Sequence, residues 1–279
     1  MKKVLLVADC MLLSKGAVRY ACYLAKMSSC GLAAVLVKDE DFMEMRPEYK
    51  SVQFEKNSGQ LPVMLKNESD MQKLVETSMH DFLALCEKEG VAGSIYHAAP
   101  VTPEEMIEES RFSDLIVVDA GTFLTDKIEQ IPSPFLQYLL ANAICPVLIT
   151  PPVFHLPQEI VFCYDWHDDA MVAIKQFTLL LPFFGDNKVT VLIVKENGEK
   201  HSGMVPRMRD WLGKYYSQVA FRVLEGDPYD QLFSYLMKSQ RTLVVMGAYG
   251  RSMISRFFYR SHADLLIRSL AFPIFIAHS

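Results

Sequence analysis

The chain has 279 residues, 51% of them hydrophobic and 22% charged, a balance that excludes a disordered or fibrous protein and suits one large domain or two ordinary ones. Its net charge of −5 gives no support to nucleic-acid binding through a broad basic face. Six cysteines (Cys10, Cys22, Cys30, Cys86, Cys145 and Cys163) carry no CxxC or other ligand spacing, the pattern of buried free thiols in a reducing cytoplasm and not of a structural zinc site.

Met1-Lys2-Lys3 followed by Val4 to Ala8 has the outline of a signal peptide, but Asp9 interrupts the apolar run and no small-x-small cleavage site follows. The segment is read as a first β-strand. No uncharged apolar run approaches the roughly 18 residues that cross a bilayer, so no membrane association is expected and the cytoplasm is the expected location. Strands of the first half are expected near 3–8, 32–38, 94–98, 114–119 and 146–150. Between the first two, Ser14 is placed to cap a helix with Ala17, Tyr20, Ala21, Leu24 and Ala25 on one face. A longer helix fits 70–88, with Met71, Leu74, Val75, Ser78, Phe82 and Leu85 at 3–4 spacing. The run Thr150-Pro151-Pro152-Val153-Phe154-His155-Leu156-Pro157 reads as a linker. Beyond it, strands are expected near 159–164, 188–194, 219–224, 242–246 and 273–277. Asp168 or Asp169 is placed to cap a helix burying Met171, Ile174, Phe177 and Leu181.

One pattern occurs twice. Leu115-Ile116-Val117-Val118-Asp119-Ala120-Gly121-Thr122 continues to Ser133 and closes at Pro146-Val147-Leu148-Ile149; Leu243-Val244-Val245-Met246-Gly247-Ala248-Tyr249-Gly250 continues to Ser261 and closes at Pro273-Ile274-Phe275-Ile276. Corresponding residues lie 128 apart without a gap through the turn. Two copies of one small domain follow, residues 1–150 and 151–279, each expected to bury its own core. Val37 matches Val194 at an offset of 157, so the first copy holds 29 further residues, which fall within an inserted loop at 39–69. A loop that long is either a tolerated surface excursion or a lid or partner-binding arm. Alternating strands and helices imply an α/β fold: two tandem doubly wound parallel five-stranded sheets of flavodoxin-like order 3-2-1-4-5.

In that order strands one and four flank the switch point, beyond whose carboxyl ends ligands bind. The second copy places Asp165 at the end of strand one and Gly247-Ala248-Tyr249-Gly250 after strand four, an acidic acceptor facing a turn whose amides could approach phosphate. Ser261-His262-Ala263 begins the next helix, with a favourable dipole for anions. The first copy has Asp119, Thr122 and Pro132 where the second has Gly247, Gly250 and Arg260, and a carboxylate at the first of these positions repels phosphate. Only Ser133 and Asp9 survive there, Asp9 reading as a polar strand end or helix cap. The chain lacks GxxxxGK[ST], GxSxG and HExxH, so P-loop, α/β-hydrolase and zincin chemistry lack their minimum parts. Asp165-Trp166-His167-Asp168-Asp169 concentrates acids around a histidine, as strand-to-helix loops do with capping residues. His97 and His262 read as structural, and Trp211 with Met208, Leu212 and Tyr215 as helix packing.

With these residues the chain resembles the universal stress protein family in both halves, the insertion apart. The family's ATP-binding members carry Gly-x2-Gly-x9-Gly-(Ser/Thr) after strand four; here Gly247-x2-Gly250 is followed by nine residues and then Arg260-Ser261, a match at three of four positions. The resemblance implies adenine contact at Asp165, a strand-two contact at Val194, and phosphate contact at Gly247, Gly250, Arg260 and Ser261. Arg260 departs from the pattern, bringing bulk where glycine admits phosphate and a charge that can hold an anion. ATP or another adenine nucleotide is the implied ligand of the second half, and the first half is expected to be ligand-free. The implied function is a non-enzymatic stress-response module, since no general base or metal cluster for ATP hydrolysis can be named. The alternative is a ligand-free interaction protein of the same fold. The resemblance implies that the halves pair through their last strands as an intramolecular pseudo-dimer, and Val147-Leu148-Ile149 and Ile274-Phe275-Ile276 are apolar enough to need covering. Two such chains could pair further as a homodimer.

Overall fold

A computed structural model describes residues 1–9, 13–37, 68–97, 101, 103–119, 134–195, 203–239, 241–247 and 272–277. The inserted loop at 39–69 lies outside these residues but for its last two, 68 and 69, which begin a helix.

The first half runs β1 (Lys3–Asp9), α1 (Lys15–Met27), β2 (Gly31–Val37), α2 (Glu68–Glu89), β3 (Gly93–His97), α3 (Pro103–Ser110), β4 (Leu115–Asp119), α4 (Pro134–Asn142) and β5 (Val147–Thr150). The second runs β6 (Glu159–Tyr164), α5 (Asp168–Leu180), a 3-10 turn (Pro182–Phe184), β7 (Lys188–Lys195), α6 (Met204–Leu212), β8 (Gln218–Glu225), α7 (Pro228–Leu236), β9 (Thr242–Gly247) and β10 (Ile274–Ala277). All ten strands fall within a residue or two of the spans read from the sequence. Apolar runs bounded by turn residues carry enough local information for that.

The strand order β3-β2-β1-β4-β5-β10-β9-β6-β7-β8 contains the 3-2-1-4-5 arrangement twice, once in each direction. Pairing is parallel within each half and antiparallel at the seam, where Ile274, Phe275 and Ile276 of β10 oppose Ile149, Leu148 and Val147 of β5. The two expected five-stranded sheets are therefore halves of one continuous ten-stranded sheet. An apolar last strand left open would expose both its side chains and its backbone hydrogen-bonding groups, and mutual pairing removes both costs.

This joining also changes where the cores lie. Side chains alternate across each strand, so Val4, Leu6, Leu148, Phe162, Val245 and Phe275 share one core, under α1, α2, α5 and α6. Leu5, Val7, Ile149, Val161, Val244 and Ile276 share the other, under α3, α4 and α7. The expectation of one core per half is corrected: there is one core per face, each crossing the seam. The central strands are buried on both faces, Val4 to Val7 and Ile160 to Phe162 all at 0% exposure, which is why they read as unbroken apolar runs.

Caps and connections position the helices. The Ser14 side chain accepts a hydrogen bond from Ala17 N at 3.3 Å and caps α1 as expected. For α5 the capping position is His167, without a side-chain cap bond, while Asp168 and Asp169 lie inside the first turn. The expected aspartate cap is thus corrected; the two acids favour the helix N-terminus by charge instead. The proline-rich connection from β5 to β6 is laid against α1. Tyr20 Oη donates to His155 O at 2.9 Å and accepts from His155 N at 3.2 Å. Phe154 meets Tyr20 edge-on at 4.6 Å, and Tyr23 meets Phe183 of the second half at 5.9 Å. Met208 and Leu212 are buried and Trp211 packs on Tyr215 at 4.9 Å, the helix packing read from their spacing. Among the described residues no helix is long and apolar enough to cross a membrane.

Candidate functional site

The carboxyl edge of the second half is built by register. Tyr164, the last residue of β6, pairs with Ile193 of β7, so Asp165 just past β6 and Val194 on β7 follow at the same level. Phe162 pairs with Val245, which carries Gly247, the last residue of β9, to that edge as well. The fold therefore brings Asp165, Val194 and Gly247 together at the switch point between β6 and β9. Gly250, Arg260 and Ser261 lie outside the described residues, as do Thr122, Pro132 and Ser133 of the first half. His262 is outside them too, and His97 is described only in its backbone.

Gly247 is pressed against the start of α5. A Cβ built there would stand 2.5 Å from Ala170 N and 2.6 Å from Asp169 C, distances that real side chains do not reach. The glycine thus lets β9 abut the first turn of α5, whose free amides and dipole favour an anion. This packing need is separate from any approach to phosphate.

The turn from β6 to α5 is tightly folded on itself. Asp165 Oδ1 accepts from His167 N at 3.2 Å, His167 Nδ1 lies 2.9 Å from Asp165 O, and Asp165 Oδ2 is 3.5 Å from His167 Nδ1. The carboxylate keeps acceptor capacity beyond these contacts. Between the two residues Trp166 has φ +68°, the left-handed region that a bulky residue enters at a cost of about 1–3 kcal/mol. Its ring packs on Tyr164 at 5.1 Å. No sequence signal announces such a conformation, because tryptophan has no preference for it. Burial pushes the Tyr164 phenol up, helped by the charges of Asp165 and Asp168; burial also pushes up the Cys163 thiol, with Asp165 adding to it.

The corresponding edge of the first half has different chemistry. Asp9 pairs in register with Val37, the same level that Asp165 and Val194 share. Asp119 stands at the end of β4, only 4% exposed, opposite Thr150 of β5. The first turn of α1 is covered from outside: a Cβ on Gly16 would collide with the carbonyl of Pro152 and come within 2.9 Å of Pro151 O. The connecting segment therefore lies over the helix N-terminus that an anion would use. Sequence reading identifies these prolines as a linker but not where they dock, since the contact joins residues far apart in the chain.

Among the described residues no group of three or more His, Cys, Asp or Glu side chains comes together as a metal site.

No protein-family model matches the sequence, and none of the curated proteins is similar to it. Solved structures are. A universal stress protein from Archaeoglobus fulgidus DSM 4304 superposes with a TM-score of 0.68 at 16% identity, over 99% of this chain and 96% of that one. A structure assigned to the universal stress proteins, from Pseudomonas aeruginosa UCBPP-PA14, superposes with a TM-score of 0.56 at 15% identity, over 100% of this chain and 93% of that one. At these identities the likeness establishes the fold: this chain has the universal stress protein fold, one copy in each half.

Proposed function

We propose that this chain is a tandem universal stress protein, a non-enzymatic cytoplasmic stress-response module whose second half binds ATP or another adenine nucleotide. The observation that carries this reading is the register that sets Asp165, Val194 and Gly247 at one switch point beside the N-terminus of α5. In this reading the Asp165 carboxylate accepts a hydrogen bond from the base or sugar, and Val194 backs the base. Gly247 and Gly250 leave room for backbone amides to meet phosphate, and Arg260 and Ser261 add donors. The first half carries Asp119 and the docked Pro152 instead, and stays ligand-free.

A ligand-free interaction protein is the second reading, favoured by the contacts that Asp165 already makes with His167. Titration calorimetry with ATP, ADP and AMP, on protein freed of co-purified ligand, separates the two. Nucleotide binding in the micromolar range, weakened strongly by Gly250→Val and not by Thr122→Val, supports the first. No heat with any of the three nucleotides supports the second, and equal loss in both variants refutes the assignment to the second half. Pairing of two chains as a homodimer belongs to the same proposal, and light scattering of the purified chain tests it.

A further inference from the structure

Cys22 of α1 and Cys86 of α2 point at one another across the packed helix pair, Sγ to Sγ 3.8 Å, and each is only 1% exposed. Sixty-four positions separate them in the chain, so the contact belongs to the tertiary fold. The fold holds Cys86 in place from the far side. A Cβ on Gly93 of β3 would stand 2.6 Å from Cys86 Sγ and 3.2 Å from Phe82 Cε1, so the strand has a glycine where those two side chains enter. Between 72 and 89 the helix that carries Cys86 fully buries Ser78, Phe82 and Cys86, with Val75, Met79 and Leu85 packed half-buried beside them, and its other face is open to solvent. Such an element opens locally at lower free energy than the strands beneath it, which admits a small reagent to buried sulfur.

The two thiols are unequal. Cys22 donates the sulfur hydrogen bond and is pushed up by it and by burial, whereas Cys86 accepts that bond and is held down by it, against the effect of burial. The more thiolate-like sulfur is the better nucleophile.

We propose that Cys22 and Cys86 form a dithiol–disulfide couple that a hydroperoxide oxidises, tying α2 to α1 and closing a loop that contains the inserted segment 39–69. Cys86 sulfur attacks the terminal peroxide oxygen; the O–O bond breaks, leaving Cys86 sulfenic acid and one water or alcohol. Cys22 sulfur then attacks Cys86 sulfur, the S–O bond breaks, and the departing hydroxide takes the Cys22 proton as water. Two thiols are oxidised and one peroxide is reduced. The device does not depend on nucleotide binding, so its failure leaves that reading untouched.

Hydrogen peroxide treatment of the full chain, followed by denaturing alkylation and intact mass, reads the couple directly. Two of the six cysteines should escape alkylation with a loss of ~2 Da, and both effects should reverse with dithiothreitol. Peptide mapping of the wild-type chain should find one Cys22–Cys86 cross-link. Cys22→Ser should abolish the loss of two thiols, and Cys163→Ala should leave it intact. Six alkylated cysteines after treatment, a cross-link between another pair, or sulfinic acid on Cys86 without a cross-link overturns the proposal.

Discussion

Gly247 and Ala170 are in contact closer than any side chain permits, the strand end of β9 lying on the first turn of α5 with a would-be Cβ 2.5 Å from the Ala170 amide. Gly247→Ala should therefore cost about 1–3 kcal/mol of stability by overpacking, before any effect on a ligand. Gly31→Ala is the control, with its nearest neighbour at 3.8 Å, and should stay within about 0.5 kcal/mol. Urea unfolding of both variants measures the difference, and equal midpoints would show that β9 and α5 are not pressed together.

The seam makes a second prediction. Leu148 and Phe275 oppose one another at 0% exposure, and Phe275 also meets Phe177 edge-on at 5.2 Å. Leu148→Ala should cost about 2–5 kcal/mol. Both tryptophans, Trp166 and Trp211, lie in the second half, so their fluorescence should report the loss although the substitution is in the first. An unchanged tryptophan transition would mean that the halves unfold independently.

Tyr20 joins the connecting segment to α1 through two hydrogen bonds with His155. Tyr20→Phe keeps the ring against Phe154 and removes both bonds, a loss of about 1–3 kcal/mol. Limited proteolysis at the connecting segment should accelerate in parallel; wild-type resistance would show that the bonds do not hold the segment down.

Alkaline pH should destabilise the protein through its buried phenols. Burial pushes Tyr216 up to about 12, against the hydrogen bond to Thr178 that lowers it, and Tyr20, Tyr23 and Tyr164 are pushed up as well, chiefly by burial. The unfolded chain releases its tyrosine protons near pH 10, where the folded chain still holds them. Stability from Tyr216 is thus complete below about pH 10 and is lost as pH rises toward about 12, at about 1.4 kcal/mol per pH unit. Urea midpoints between pH 9 and 12 should fall, and Tyr216→Phe should make that fall shallower; an identical slope in the variant would assign the effect elsewhere.

Of the candidate site, the level of Asp165, Val194 and Gly247 was legible from the repeat, because offset counting and strand order together specify which ends meet. The cap of α5 was not: Asp168 and Asp169 look like caps, yet the turn at Trp166 advances the helix start so that His167 takes that position. A left-handed tryptophan leaves no compositional trace.

The sequence by itself determined the ten strands, the doubly wound order of each half and the chemical asymmetry between Asp119 and Gly247. These are properties of local apolar periodicity and of positions compared between two copies, and they need no third dimension. Only the tertiary structure decided that β5 and β10 join both halves into one sheet, that each core crosses the seam, that Pro152 covers Gly16 and that Cys22 faces Cys86. Each of those is a contact between residues far apart in the chain. Such contacts are selected by the close packing of the whole molecule, where space filled by one side chain is denied to every other.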